Sequence, residues 1–333
     1  MTVEPRAEHG TVLVVQEGLG KVTAFDPTTL RIAAEIPVDP KPHEIELSSD
    51  GRTAYVSNFG WLEVDHKVGI AGKTISVIDV ARGMERQRFV LPAGKAAAPH
   101  GIKLRPPEEQ ELFTNAEDGD LMLVLSAASG HLLRSFPLPP NIHNFVFSGD
   151  GSAFFAFATT GEVFRLGAQD GRVEAQTRVS SPRGLAWTAD RSMLIVSGRG
   201  ELKMLEPHNL AVVKSFPNLP VHQTFYPASS PDGRFILAPA VLDGVVLILD
   251  ARTGDVVRQI KTGSPLSLVF APSGRTAWIS NVLVPDTMLP PGTPPRPGGV
   301  TELSLTTFET KQVPGIVDAN GLALSALPVN AGK

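Results

Sequence analysis

The sequence predicts an all-β chain folded as a seven-bladed β-propeller with four antiparallel strands per blade, and three observations carry that prediction. A short phrase recurs seven times, as PHEIELSSDG, PHGIKLRPPE, IHNFVFSGDG, PRGLAWTADR, VHQTFYPASSPDG, PLSLVFAPSG and NGLALSAL. Its lead residues are His43, His100, His143, Arg183, His222, Leu266 and Asn320, at intervals of 57, 43, 40, 39, 44 and 54. A repeat near 40 residues is that of a four-stranded blade. Each phrase is followed by strand-like runs separated by Asp-Gly and Thr-Gly turns, and no segment holds a helical period. Finally, the two ends of the chain are complementary fragments of one unit.

In order along the chain, TVLVVQ, KVTAFD and IAAEIPV come first and have no inner strand before them. Full units follow, with outer strands such as TAYVSN, TISVIDV and ERQRFVL, or FILAPAV, GVVLILD and DVVRQIK, rich in β-branched residues. The last phrase, NGLALSAL, has no outer strands after it. Residues 11–37 therefore pair with a strand near 320–325, closing the ring so that no sheet edge stays open. Residues 1–333 read as one domain. The two long intervals carry inserts, 59–73 and 282–299, each between the second and third strands of its unit. By strand alternation both emerge on the face where the lead residues lie, which makes them candidate lids.

Composition narrows the function. The net charge of −4 and 6% aromatic content offer neither a basic field nor stacking platforms for nucleic acid. With no cysteine, disulfides, iron–sulfur clusters and thiolate zinc sites are excluded. No apolar run reaches the roughly 18 residues of a membrane span, and MTVEPRAEHG lacks a signal pattern. The expectation is a soluble chain with no membrane partner, cytoplasmic as it stands and periplasmic if a leader has been removed. Serine-hydrolase, nucleotide-binding, zinc-protease and EF-hand motifs are absent, and NAEDGDLM reads as a hairpin turn.

The runs TAYVSNFG, KTISVIDVARG and TAWISN, with PDGR and PSGRTAW turns, resemble the Tyr-Val-Thr-Asn (YVTN) family of seven-bladed propellers over nearly the whole chain. The resemblance implies the fold. It leaves function open, since relatives include lactonases, cofactor-binding domains and copper-enzyme domains.

Four of the eight histidines stand in the lead position, where a blade meets the propeller axis. His43, His100, His143 and His222 are therefore candidate ligands of one transition metal, with a polar channel lining as the alternative. Converging imidazoles suit iron or copper first, zinc or nickel next, and not magnesium or calcium. Four histidines on a propeller axis also resemble the constellation of carotenoid-cleaving oxygenases. Arg183 cannot ligate a cation, so it points to an anionic group between them and hence to a small anionic substrate. Arg183 and His66 are candidate catalytic residues; Arg183, Asn320 and Trp61 are candidate substrate contacts. His9, His131 and His208 are expected in solvent. The resulting expectation is a metal-dependent oxidoreductase, with a lactonase-like hydrolase and a non-catalytic binding propeller as alternatives.

Overall fold

The computed structural model of the protein describes residues 9–62, 68–94, 96–284 and 296–329. Seven four-stranded antiparallel sheets form the seven blades. The inner strands are Pro42–Leu47, Pro99–Leu104, Ile142–Phe147, Gly184–Trp187, Ala228–Ser229, Pro265–Phe270 and Ala319–Ser325, for blades one to seven. In the seventh, the C-terminal strand Ala319–Ser325 pairs with Thr11–Gln16, which continues to Lys21–Phe25 and Ile32–Pro37. The closure expected from the two chain ends is therefore present, and it covers the inner edge that each terminus alone would leave bare. Among the described residues, no helix is long and apolar enough to cross a membrane.

Alternation along each strand sends one set of side chains into the seam with the preceding blade and the other into the following seam. Between blades two and three the seam is aromatic: Phe113, Phe136, Phe145, Phe147 and Phe154 pack edge-to-face with centroids 4.9–6.5 Å apart. Burying each phenyl contributes about 1.5–3 kcal/mol to this seam.

The first insert is largely strand. Thr53–Leu62 and Gly69–Asp79 run on past the blade as a paired ribbon, with Trp61 opposite Ile70. Because Asn58 pairs with Pro42, the ribbon leaves on the face where His43 lies, as expected. The second insert leaves on the same face, since Asn281 pairs with Pro265. Its described ends are anchored: Arg296 donates to the carbonyls of Val241 and Leu242 at 2.8 and 2.9 Å, and Leu283 N–H donates to Asp318. Residues 285–295 of the second insert lie outside the described residues.

Candidate metal centre

The loop leading into an inner strand must turn sharply from the rim toward the axis. In five blades it does so through a non-glycine residue in the left-handed region, two positions before the lead residue: Lys41, Ala98, Asn141, Ser181 and Asp318, with φ of 50–63°. Such a conformation is unfavourable for an L-residue and is retained where surrounding bonds fix it. Here they do. The carbonyls of Ala98 and Asn141 accept the N–H of Glu117 and Thr159, the first residues after the second strand of their blades. His100 and His143 are thus locked against the turn between the second and third strands of their blades.

Buried polar residues of one blade's second strand then hold the next blade's lead residue. Ser57 donates to the His100 carbonyl at 2.6 Å. Asn115 donates to the Ile142 carbonyl at 3.0 Å, while its Oδ1 accepts the Gly101 N–H at 2.8 Å.

Three of the four expected ligands come together. The ring centroids of His43 and His100 are 4.3 Å apart, and those of His100 and His143 are 4.0 Å apart. Phe59 and Phe157 wall the group, at 5.7–5.8 Å from the imidazoles they face. The Nδ1 side of each outer histidine is occupied. His143 Nδ1 lies 2.9 Å from Glu117 Oε1, and His43 Nδ1 lies 3.5 Å from Glu17 Oε2 and 3.1 Å from Asn320 Nδ2. Asn320 in turn donates to Glu17 at 2.8 Å, and Lys41 pairs with the other Glu17 oxygen at 3.0 Å. At His143 the carboxylate on Nδ1 fixes the tautomer and leaves Nε2 as the inward nitrogen.

His100, at the centre, has neither nitrogen satisfied although the residue is only 2% exposed. An unmet buried polar group costs about 1–3 kcal/mol, so this ring calls for a partner on the axis. Burial, then the charge of His143, pushes its pKa well below the usual imidazole range and keeps it neutral, so that no proton has to leave for it to bind a metal. His43 is raised: burial opposes its protonation, but the bond and charge of Glu17 outweigh burial. Glu17 is held well below the usual carboxylate range, burial again being overcome, by His43 and Lys41. The nitrogens of His100 and His143 and an oxygen of Glu117 all lie within 4.8 Å of one another.

The floor of this mouth is set by the next residue of each inner strand. Around the axis these are Glu44, Gly101, Asn144, Gly184, Tyr226, Ser267 and Gly321, so large polar side chains alternate with glycine over the first five blades. Asn144 donates to Glu44 at 3.1 Å and lies 3.5 Å from the Tyr226 hydroxyl, linking blades one, three and five across the intervening glycines. A Cβ on Gly184 would meet Tyr226 Cα at 2.6 Å, and one on Gly101 would meet Asn144 Oδ1 at 2.7 Å. Glu44, Lys103, Asn144, Phe157 and Tyr226 line a cavity of about 110 Å³ in the axis. Burial, reinforced by Glu44, raises the Tyr226 phenol well above its usual value, so it stays a neutral donor.

The remaining sequence expectations divide. His222 does not join the group: its side chain is 77% exposed, and its Nδ1 and backbone N–H are both taken by Asp243, at 2.6 and 3.0 Å. In five blades the lead residue stands five before the residue that opens the first-strand turn, whereas His222 stands eight before Ser230. Phe225 is the blade-five counterpart of His43. Asn320 is buried and bonded to Glu17 and His43, where it positions a ring in place of the expected open substrate contact. Trp61 is 55% exposed under the Lys41 ammonium, 5.5 Å from its ring centre. His66 lies outside the described residues. Arg183 is half-buried beside the mouth, and its guanidinium donates to the Pro182 carbonyl at 3.1 Å. His9, His131 and His208 are exposed, as expected.

Glu17 and Glu117 were not among the sequence candidates, since the second sits in the stretch read as a hairpin turn. The signal that finds them is positional: each is the first residue after a second strand, in Gln16-Glu17-Gly18 and Ala116-Glu117-Asp118.

No family model matches the chain, so the likeness to the Tyr-Val-Thr-Asn family stays one of fold, and no curated protein matches it. Solved structures do. A hydrazine synthase chain of Kuenenia stuttgartiensis superposes with a TM-score of 0.67 at 18% identity, over 84% of this chain and 95% of that one. A protein of Desulfotomaculum acetoxidans DSM 771, described as functionally unknown, superposes with a TM-score of 0.75 at 15% identity, over 96% and 99%. At these identities what is shared is the propeller.

Proposed function

We propose that the protein is a metal-dependent enzyme, an oxidoreductase whose iron or copper ion is held on the propeller axis by His43, His100 and His143 and which acts on a small anionic substrate. The observation that carries this reading is His100, a neutral imidazole at 2% exposure with both nitrogens unmet, flanked by two rings whose Nδ1 atoms are occupied by carboxylates and an amide. Glu117 is near enough to supply an oxygen ligand as well. Nitrogen-rich sets with open positions suit redox metals. One of the fold neighbours is itself an enzyme by description, the hydrazine synthase chain, which adds that such propellers occur in enzymes.

In this reading the ion supplies the electron-transfer chemistry, and the chain's own groups do the rest. Glu17 and Glu117 hold the ring planes and balance positive charge, Phe59 and Phe157 keep water from the side of the ring stack, and Tyr226 offers a neutral hydroxyl from below. Arg183 supplies the charge that an anionic substrate would meet. A second reading is favoured by the donor set alone: three histidines with an open position also hold hydrolytic zinc, and the hydrolase expected from sequence would use this same mouth.

Elemental analysis of the purified protein tests the site. One equivalent of a first-row metal is expected, falling at least about tenfold in affinity in His100→Ala and unchanged in His131→Ala. Metal-free protein, or equal metal in His100→Ala, overturns the reading. Oxygen- or electron-acceptor-dependent turnover separates the oxidoreductase from the hydrolase.

A further inference from the structure

We infer that Arg183 and Arg199 form a two-arginine subsite on blade four that binds the carboxylate of a small ligand at the rim of the axial mouth. This deepens the proposed function by locating where the anionic substrate is held, and it adds a residue that sequence did not single out.

The placement comes from the repeat. Arg199 directly follows the second strand Leu194–Gly198, the slot that Glu17 and Glu117 fill in blades seven and two. Arg183 fills the lead slot of the same blade, as His43 and His143 do in theirs. Two backbone bonds hold the slots together: Arg199 N–H donates to the Ser180 carbonyl at 2.8 Å and Arg183 N–H to the Ser197 carbonyl at 3.4 Å. Where His43, His143 and His222 each face a carboxylate, Arg183 has none, and the slot beside it holds Arg199.

Arg88, Arg105, Arg134, Arg165 and Arg178 all sit against carboxylates. Among the described residues Arg183 and Arg199 have none. Arg31, Arg86, Arg191, Arg252, Arg258 and Arg275 also lack a carboxylate there but are exposed, and Arg296 donates to two carbonyls, so Arg183 stands apart by being half-buried with a single acceptor. A guanidinium carries five N–H donors, and the half-buried Arg183 satisfies one protein acceptor, the Pro182 carbonyl. Burial destabilises its cationic form; Tyr226 acts the other way, and the charge of Arg199 adds a smaller unfavourable contribution. An anion lying across both side chains would meet the open donors and remove the repulsion. The planar fork of a guanidinium matches a carboxylate in two parallel bonds. Tyr226, 3.5 Å from Asn144, belongs to the floor beneath the histidines.

The experiment is calorimetric titration of succinate, and separately of inorganic phosphate, into the full chain at low ionic strength, before and after chelator treatment. Succinate binding is expected to weaken about tenfold or more in Arg183→Leu and in Arg199→Leu, and to be partly restored in Arg183→Lys, which keeps the charge and loses the fork. Metal content should stay unchanged in all three. If Arg183→Leu does not fold by circular dichroism, the exposed Arg199→Leu variant decides. Equal succinate affinity in the parent and the folded leucine variants overturns the subsite, as does no succinate binding by the parent. Phosphate bound at least as tightly as succinate overturns its assignment to a carboxylate. Succinate bound by chelated protein and lost in the arginine variants upholds the subsite even if metal analysis overturns the metal reading; binding lost with the metal alone does the reverse.

Discussion

Blades three and five carry the same local phrase, a histidine before a short strand and a Ser-x-Asp-Gly-like turn, yet put that histidine in opposite environments. His143 packs on His100 at the axis, whereas His222 faces solvent on the rim with Asp243. The difference is three residues of loop. In blade three the histidine is five positions before the turn serine, Ser148; in blade five it is eight before Ser230. Blade five also lacks the left-handed residue two positions before its histidine that turns the chain inward in blade three at Asn141. Its inner strand is reduced to Ala228–Ser229, and Phe225 bonds through its N–H to the Pro239 carbonyl. What fixes a side chain on the axis is therefore its distance from the turn, which is anchored by hydrogen bonds, and not its place in a recurring phrase.

The largest effect expected from this comparison is in metal binding. Replacing His222 by Ala should leave metal affinity within error of the parent, while Phe225→His, which puts an imidazole in the true axial slot, should raise affinity for a nitrogen-seeking metal such as copper by about tenfold, or about 1.4 kcal/mol. Competition against a chromophoric chelator reads both. Loss of metal in His222→Ala would restore the four-histidine site and break the register drawn here.

Much of the fold was legible because it depends on repetition: seven phrases, turn residues with a defined chemistry, and two chain ends that complete each other. The axial histidines were legible in part, since a lead residue five before a turn has only one place to go. The carboxylates were not. Glu117 lies in NAEDGDLM, which read alone is a hairpin, and it becomes part of the site only because blade packing brings the end of one blade's second strand against the next blade's lead residue. Asn320 was visible as a lead residue, but its bond to Glu17 joins positions 303 apart in sequence, and no local pattern announces it.

A smaller effect is expected at the floor between the two blades compared. Gly184 stands where Tyr226 crosses from blade five toward Asn144 of blade three, and an added Cβ would lie 2.6 Å from backbone rather than from a movable side-chain tip. Gly184→Ala should cost about 1–3 kcal/mol in denaturant unfolding, the range for overpacking. It should also weaken the Tyr226–Asn144 link, read as a change in tyrosine absorbance with pH. Unchanged stability would mean that blade five can shift freely against blade four, and the rigid floor would be wrong.

The smallest effect concerns the turn that sets the register. In blade three the Asp150 carboxylate accepts the hydroxyl of Ser148 and the N–H and hydroxyl of Ser152, and these bonds lower its pKa to about 2. Asp232 of blade five is lowered as well: burial opposes the shift but is outweighed by Ser230 and Arg234. A carboxylate whose folded pKa lies below its unfolded value near 3.8 stabilises the fold fully above that value, and loses its contribution as pH falls from about 4 through 2. Asp150 is exposed, so solvent screening limits the contribution to about 1 kcal/mol or less. Asp150→Asn should therefore unfold at lower denaturant than the parent at pH 7, and the gap should close as pH approaches 2. A gap that is the same at pH 7 and pH 2 would show that the turn is held by its backbone alone, and distance from the aspartate would lose its standing as the ruler that separates His143 from His222.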